Sequence, residues 1–247
     1  TRQGATLLAI CYRSQGDPET LPLSASTAPF SDLAPTDWYY SAAIYTYRLG
    51  LLQGTSATAF SPHLTTTRAM LVTILHRLAG TPQPRTRAAF QDVPAGTWYT
   101  DAVAWAAEQG IVYGYSAARF GPDDPVTRQQ AVTMIARAFA LGETEGDIPY
   151  DDAGDVAYYA KGYLVTMLKN GWLNDMGESR LLRPNEPITR AEVVNILSNL
   201  VSRLWQESGE YSEDVTGTAM VSAGDGVILH DMKIDGDLII APGVSGP

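Results

Sequence analysis

Apolar residues recur at helical spacing in the middle of the chain. Between residues 98 and 109 they fall on one face of a helix, at Trp98, Ala102, Val103, Trp105 and Ala106. This spacing predicts an amphipathic helix over 98–109. Gly110 follows directly, and a glycine suits the left-handed backbone found at many helix C-termini.

A second kind of apolar stripe follows a threonine. Behind Thr189 the stripe comprises Val193, Ile196, Leu197, Leu200, Val201 and Leu204. Thr189 with Glu192 forms the capping-box pattern Thr-x-x-Glu, and Thr127 with Gln130 forms the related Thr-x-x-Gln. These positions predict the N-termini of capped helices. Between the two kinds of helix we expect a short extended link over 111–114 and a turn over 120–125.

The two helices and their link form a unit of about 60 residues that is repeated. Counterparts 60 residues apart include Phe30 and Phe90, Trp38 and Trp98, Gly50 and Gly110, Phe60 and Phe120, and Thr67 and Thr127. In a third copy Tyr158 replaces the tryptophan, and Thr189 lies 62 residues after Thr127, which indicates a two-residue insertion around 174–180. One helix pair cannot bury its stripe alone, so the copies are expected to pack on one another.

The repeat also divides the chain into segments. Residues 1–16 align with the second half of a unit and place Arg2 at the repeated arginine position; a linker rich in Pro, Ser, Thr and Ala follows over 17–29. Three full units are predicted over 30–80, 90–141 and 150–204. The chain begins inside a repeat and without a methionine, so we expect it to be part of a longer protein.

The composition changes after the third unit. Residues 205–247 are predicted to be a linker and the start of a β-rich region. Within it, polar residues separate the β-type residues Ile234, Leu238 and Ile240, which is typical of short strands.

The repeated motifs resemble the S-layer homology (SLH) motif. The resemblance rests on Phe-x-Asp, Trp-Tyr, Gly-(Ile/Leu)-x-x-Gly, Phe-x-Pro and Thr-Arg-Ala-Glu, which occur in this order across residues 30–204. It implies a mainly α fold in which three SLH motifs pack as a pseudo-threefold helical domain with grooves between motifs. The Gly-Asp-Leu-Ile-Ile segment at 236–240 is similar to segments that follow SLH domains in large surface proteins, which implies a short β-solenoid-like C-terminal part.

For function, the resemblance implies a module outside the cell, in the cell wall or S-layer, that attaches a surface protein to peptidoglycan. Grooves between SLH motifs bind secondary cell wall polysaccharide, often carrying a pyruvyl ketal. The arginine of the Thr-Arg-Ala-Glu motif is implied to meet the acidic sugar, which assigns that role to Arg68, Arg128 and Arg190. Only the third copy retains the full motif, because Met70 and Gln130 occupy the glutamate position in the others. These departures count against equal binding by all grooves.

The chemistry of arginine suits this role. A guanidinium presents a flat fork of donors that matches a planar carboxylate in a bidentate way, and a helix N-terminus adds backbone N–H groups. The structural alternative is that each arginine projects into water or pairs with Asp32, Asp92 or Asp152. Because an arginine recurs at one helical position, we expect the same cause in every copy: either the fold or a ligand requires it.

Other residues near the start of each unit are candidates for the same site. Flat faces for a sugar ring are offered by Trp38, Trp98 and Tyr158. For an aromatic residue at the start of an amphipathic helix, however, a place in the core is the preferred interpretation. Three aspartates precede the first helices and are interpreted equally as N-caps or as hydroxyl acceptors, namely Asp32, Asp92 and Asp152.

Composition narrows the class of partner. The formal net charge of −10 argues against a general nucleic-acid surface or an anionic-membrane surface. The sequence has no uninterrupted apolar run of about 18 residues, so no membrane insertion is expected. With Cys11 as its single cysteine, the sequence excludes an internal disulfide and a cysteine-based zinc site.

The sequence also lacks a catalytic constellation. His63, His76 and His230 have no paired spacing, and no nucleophile or phosphate-binding motif is present. We therefore expect a non-catalytic module without a cofactor. The carboxylates within 151–155 are compatible with calcium, although a solvated turn is preferred.

Two alternatives stay open at this point. In one, the repeat is a structural or protein-interaction scaffold of a surface layer without glycan binding, with lateral self-association through regions outside this sequence. In the other, the longer protein is an enzyme and these residues are its anchor.

Overall fold

The computed structural model describes residues 29–87, 89–173, 180–222 and 226–241. The partial unit predicted over 1–16, with Arg2 and Cys11, lies outside the described residues. So does nearly all of the linker predicted over 17–29, together with most of the predicted insertion.

Helices come in pairs, two for each repeated unit. Their bounds are α1 Tyr40–Arg48, α2 Arg68–Leu78, α3 Thr100–Glu108, α4 Arg128–Ala138, α5 Tyr158–Lys169 and α6 Arg190–Leu200. A short 3₁₀ helix, Ala153–Asp155, precedes α5. The predicted helical fold with a few short strands is confirmed, and the helix predicted over 98–109 is present as α3, two residues shorter at its start.

The caps of the second helices match the sequence motifs. Thr127 and Thr189 both form complete capping boxes, in which the backbone N–H of each threonine donates to Gln130 Oε1 at 3.2 Å or Glu192 Oε2 at 2.7 Å. At α2 only the threonine hydroxyl caps, since Met70 has no side-chain acceptor to return the bond.

The first helices end as expected, but the link that follows is not a strand. Gly50, Gly110 and Gly171 have φ values of 67°, 69° and 72°, in the left-handed region that favours glycine. After Gly110, the backbone N–H groups of Ile111 and Val112 both donate to the Ala106 carbonyl of α3. The start of the link is thus bonded to the helix end, and residues 111–114 are not part of a β-strand.

The units are joined in cyclic order. The second helix of each unit packs on the first helix of the next, as α2 on α3, α4 on α5, and α6 on α1. The apolar stripes meet in one core, which includes the buried residues Leu71, Ile74, Ile135, Val193 and Ile196. Each unit therefore buries its apolar stripe against its neighbours, because one helix pair is too small to bury the stripe alone.

Three backbone hydrogen bonds close the cycle ahead of the second helices. Thr66 N donates to Ile188 O at 2.9 Å, Ile188 N donates to Val126 O at 2.8 Å, and Val126 N donates to Thr66 O at 2.9 Å. These three residues occupy equivalent places in the three units and are called the backbone triangle below. Every unit both donates to one neighbour and accepts from the other.

Short parallel strands follow the last helix. Strands β1 Arg203–Trp205, β3 Ala219–Val221 and β5 Leu238–Ile240 form one sheet, and β2 Gly209–Tyr211 pairs with β4 Val227–Leu229. The apolar stripe predicted to extend α6 to Leu204 ends earlier, because the helix stops at Leu200 and Leu204 lies in β1. Met220 and Ala241 belong to the helical core, so the sheet packs directly on the helices.

None of the helices within the described residues is long and apolar enough to cross a membrane.

A glycine substitution tests the tight packing of the link. An added Cβ at Gly114 would meet the Phe90 ring and lie 2.7 Å from the Arg119 carbonyl oxygen, whereas a Cβ at Gly142 would meet nothing within 4 Å. Gly114→Ala is therefore expected to lower the free energy of unfolding by about 1–3 kcal/mol, as for other overpacked sites. Gly142→Ala is the matched control and should change it by less than about 0.5 kcal/mol. Chemical denaturation measures both, and equal effects would contradict the packing described here.

Candidate functional site

The repeated arginines lie at the boundaries between units. Arg68, Arg128 and Arg190 begin α2, α4 and α6, and their exposed fractions are only 6%, 8% and 4%. Each side chain reaches into the Phe-x-Pro turn of the next unit, a turn that covers residues 60–62, 120–122 or 182–184. The interpretation in which these arginines project into water is wrong.

Arg68 is held by main-chain carbonyls and aromatic rings. Its Nε donates to Phe120 O at 2.8 Å and its Nη2 donates to Tyr113 O at 2.7 Å. The guanidinium carbon lies 4.6 Å from the ring centroid of Phe120 and 4.7 Å from that of Tyr115. The second unit thus provides the carbonyl acceptors and the aromatic rings around an arginine from the first.

Arg190 repeats this arrangement one boundary further on. Its Nε donates to Phe60 O at 2.9 Å, its Nη2 donates to Gln53 O at 2.6 Å, and the guanidinium lies 4.8 Å from the Phe60 ring centroid. The third unit is thereby attached to the first.

Arg128 has a different environment. Its Nε and Nη2 donate to Glu192 Oε1 at 2.8 and 2.6 Å, and its Nη1 donates to Glu186 Oε2 at 3.0 Å. Glu192 is the glutamate of the one complete Thr-Arg-Ala-Glu motif, and it is buried with the arginine. At the other two boundaries the equivalent residues are Gln130 and Met70, which carry no charge.

The charges of Arg68 and Arg190 are consequently not paired. Within the part of the chain that the structure describes, no carboxylate oxygen lies within 4 Å of either guanidinium. Burial lowers the pKa of Arg68, an effect that Tyr115 and Asp124 oppose. Burial also lowers the pKa of Arg190, opposed by Asp32. An anion placed beside either guanidinium would favour its charged form.

The helix N-termini themselves are occupied. Arg68 N and Ala69 N donate to the carbonyls of Asp124 and Pro122, and the corresponding N–H groups of α4 and α6 donate to the turns they face. The backbone N–H groups proposed from sequence as ligand donors are therefore used by the protein, and that part of the expectation is wrong.

The three aspartates hold the same turns from the other side. Asp92 accepts from Phe120 N at 2.8 Å and Gly121 N at 2.7 Å. The equivalent pairs are Asp32 with Phe60 and Ser61, and Asp152 with Leu182 and Arg183. None of these carboxylates caps a helix, and none forms an ion pair with a repeated arginine among the described residues. The N-cap and Asp–Arg pairing interpretations are wrong: aspartate and arginine bind the same turn without forming an ion pair with each other.

The aromatic residues at the unit starts are exposed. The exposed fractions of Trp38, Trp98 and Tyr158 are 49%, 60% and 95%, so the interpretation that places them in the core is wrong. Trp38 and Trp98 pack edge-on against the following tyrosines, which take the more buried positions. No hydrogen bond or ring contact in the described residues joins these three aromatics to the repeated arginines.

Two tyrosines beside Arg68 are additional candidates. Tyr113 and Tyr115 are exposed, and Tyr115 also lies 4.9 Å from the guanidinium of Arg119. Their equivalents in the first unit are Gln53 and Thr55, so the tyrosines fall outside the repeated pattern. A comparison of repeats detects shared residues and therefore misses a feature confined to one unit.

Within the described residues, no cluster of three or more His, Cys, Asp or Glu side chains is arranged to hold a metal ion. Asp152 is occupied by the turn N–H groups and Asp151 pairs with Arg180 at 2.8 Å.

The Arg128–Glu192 pair makes a testable contribution to stability. Breaking a buried pair leaves a charge without a partner, so Arg128→Gln should lower the free energy of unfolding by about 3–5 kcal/mol. Arg128→Gln combined with Glu192→Gln removes both charges and should recover part of that loss. A double-mutant cycle from urea denaturation measures the coupling, and purely additive effects would show that the pair does not act as one unit.

A second prediction concerns pH. Burial acts to raise the pKa of Asp92, but the hydrogen bonds from Phe120 and Gly121 outweigh it, so the pKa lies below the ordinary value of 3.8. A lowered pKa stabilises the fold above 3.8, and this contribution is lost as the pH falls through the pKa of the folded protein.

Asp92→Asn should therefore destabilise the protein at neutral pH by about 1–3 kcal/mol. The difference from the unmodified protein should shrink as the pH falls below about 3.8. Asp123→Asn changes an exposed carboxylate near the same turn and serves as control. Thermal unfolding across this pH range provides the measurement, and a difference independent of pH would contradict the role of the ionised carboxylate.

Comparison with known proteins agrees with the repeat. The S-layer homology domain family matches residues 29–69, 89–132 and 149–194, which together form more than half of the chain. Relatives include a surface-layer 125 kDa protein of Lysinibacillus sphaericus, 33% identical over 73% of this chain and 16% of its own length. A cellulosome-anchoring protein of Acetivibrio thermocellus is 26% identical over 74% of this chain and 43% of its own.

A third relative is an endoglucanase of a Bacillus species, 26% identical over 96% of this chain and 25% of its own length. The chain thus spans less than half of each of these relatives. The three family matches follow the order and spacing of the three structural units. The chain therefore belongs to the S-layer homology domain family.

Proposed function

We propose that this chain is a non-catalytic module that attaches a surface protein to the bacterial cell wall. It does so by binding secondary cell wall polysaccharide in its pyruvylated form. Membership of the S-layer homology family supports the anchoring role. The relatives named as surface-layer and cellulosome-anchoring proteins support a place outside the cell.

The proposed architecture is a pseudo-threefold domain of three motifs, over 30–80, 90–141 and 150–204, with a β-solenoid-like segment after it. The cyclic helix contacts and the backbone triangle support the threefold arrangement. The parallel registers of β1 with β3 and of β3 with β5 support the solenoid, since successive turns of such a fold stack in parallel.

One observation carries the binding proposal: Arg68 and Arg190 are buried cations, and no carboxylate oxygen of the described residues lies within 4 Å of either. Carbonyl oxygens fix Nε and Nη2 of each guanidinium and so set its direction. A carboxylate of a ketal-linked pyruvate would supply the missing negative charge. The exposed Trp38, Trp98 and Tyr158 offer faces for the sugar rings.

The three boundaries are not expected to bind equally. Glu192 and Glu186 already surround Arg128 with negative charge, which would repel an acidic sugar. We therefore assign ligand binding to the boundaries of Arg68 and Arg190, and a structural role to Arg128.

The direct test is co-sedimentation with purified cell wall sacculi. Three preparations separate the possibilities: intact walls, walls treated with mild acid to remove pyruvyl ketals, and walls stripped of polysaccharide. The proposal expects binding to the first, weaker binding to the second and none to the third. Binding that persists on stripped walls would reject glycan binding. If a surface protein, and not wall extract, competes with this binding, the result would support a protein-interaction scaffold.

A matched pair of variants tests the arginine assignment. Arg190→Gln removes a guanidinium from the proposed site, whereas Arg183→Gln removes an exposed one whose nearest carboxylate oxygen, on Glu186, is 3.9 Å away. Arg190→Gln should weaken wall binding about tenfold, equivalent to about 1.4 kcal/mol, and Arg183→Gln should leave it nearly unchanged. Binding is measured at a temperature where circular dichroism shows both variants folded. Equal loss in both variants would contradict the assignment.

A second proposal concerns the longer protein. The endoglucanase relative aligns with nearly the whole of this chain while the chain covers only a quarter of it. We propose that such a region is joined to different partner domains in different surface proteins, with any catalytic activity carried by those other domains.

A further inference from the structure

A second cation lies close to the Arg68 boundary. Arg137, in the last turn of α4, has its guanidinium carbon 5.2 Å from the ring centroid of Tyr113 and 5.7 Å from that of Tyr163. Tyr113 belongs to the second unit and Tyr163 to α5 of the third, so the cation sits between two units. No carboxylate oxygen of the described residues lies within 4 Å of it.

One residue connects this cation with Arg68. The Tyr113 carbonyl accepts the hydrogen bond from Arg68, and the Tyr113 ring faces Arg137. Tyr159 lies within the influence of both cations: burial and Tyr115 raise its pKa, and the positive charges of Arg137 and Arg68 oppose the increase. The ring contacts, with Tyr159 in electrostatic range of both arginines, outline one surface. It is called the tyrosine cleft below and comprises Tyr113, Tyr115, Tyr159 and Tyr163 with Arg68 and Arg137.

The chemistry of the tyrosine cleft points to an acidic carbohydrate chain. Tyr113, Tyr115 and Tyr159 are exposed, so sugar rings can contact the parts of these side chains that the arginines leave uncovered. Each guanidinium provides several N–H donors for a carboxylate or a phosphate. Two unpaired cations joined by aromatic faces match a polymer that carries acidic groups at intervals better than they match a single small anion.

Among the described residues, this combination of side chains occurs at one place in the fold. The residue equivalent to Arg137 in the first unit is Arg77, whose Nη1 donates to the Leu51 carbonyl at 3.2 Å, and in the third unit it is Asn199. The equivalents of Tyr113 and Tyr115 in the first unit are not aromatic. The Arg190 boundary therefore has the repeated arginine without the second cation.

We propose that Arg137 forms a second anionic subsite beside Arg68, so that the tyrosine cleft binds two neighbouring acidic groups of one glycan chain. This inference rests on the proposed function. It adds that the Arg68 boundary recognises a longer segment of polymer than the Arg190 boundary does.

The test compares Arg137→Gln with its positional counterpart Arg77→Gln in the full chain. Calorimetry measures binding of purified pyruvylated wall polysaccharide and of a fragment of it that carries one acidic sugar. Arg137→Gln should weaken binding of the polymer about tenfold and leave binding of the fragment nearly unchanged, while Arg77→Gln should change neither. Tyr113→Leu removes one face of the subsite and should weaken polymer binding in the same direction.

The outcomes separate the two proposals. If the unmodified chain binds no polysaccharide, both fail. If it binds, and Arg137→Gln behaves like Arg77→Gln towards the polymer, only the second subsite is rejected. Two treated polymers identify the acidic group in the subsite: one without pyruvyl ketals and one without phosphodiesters. Arg137→Gln and Arg77→Gln should bind equally well only to the polymer that has lost the recognised group.

Discussion

The attachment of each second helix to the turn of the next unit is the interaction on which the rest of the structure depends. The first N–H groups of an α-helix have no partner within the helix. Here the carbonyls of a neighbouring unit satisfy them, as in Arg68 N with Asp124 O and Arg190 N with Leu64 O. Because each second helix obtains these partners from a neighbour, the three units are expected to fold as one body. The backbone triangle closes this dependence, because every unit is both donor and acceptor.

The same attachment explains why an arginine recurs at this position. Its guanidinium spans the boundary and binds carbonyls that the next unit would otherwise leave without donors, such as Phe120 O and Phe60 O. The aspartates bind the N–H groups of the same turns, so each turn is held from both sides. The shared reason for the arginine is therefore the fold, and the proposed ligand binding would use the charge that the fold leaves unpaired. Where Glu192 reaches Arg128, no such charge is left.

The predictability of each feature follows from the range of the interaction behind it. Local motifs were sufficient for the helices and caps: Thr189 with Glu192, and the glycines that end the first helices, act within a few residues. The partners of Asp92 and Arg68 lie 28 and 52 residues away, and no local rule identifies them. Trp98 was misplaced because apolarity indicates burial only on average, and here the neighbouring Tyr99 takes the more buried position. The end of α6 was misplaced because apolar residues continue beyond Leu200 into β1, where Leu204 still packs in the helical core.

In the proposed function, specificity would come from the residues in which the units differ. The residues shared by all three, such as Thr67, Thr127 and Thr189, build the same capped helix three times and cannot distinguish one boundary from another. The boundaries differ through residues that are not shared. Glu192 pairs with Arg128 at one, and Tyr113 brings Arg137 close to Arg68 at another. At the third, Arg190 bonds to the carbonyl of Gln53, which has no aromatic ring. A polysaccharide is itself a repeat, so a scaffold of three equal sites would gain affinity without selecting a register. If the chain binds polysaccharide as proposed, unequal sites around a closed cycle would allow it to prefer one alignment of the polymer. This preference would follow from the same departures that make the motif imperfect.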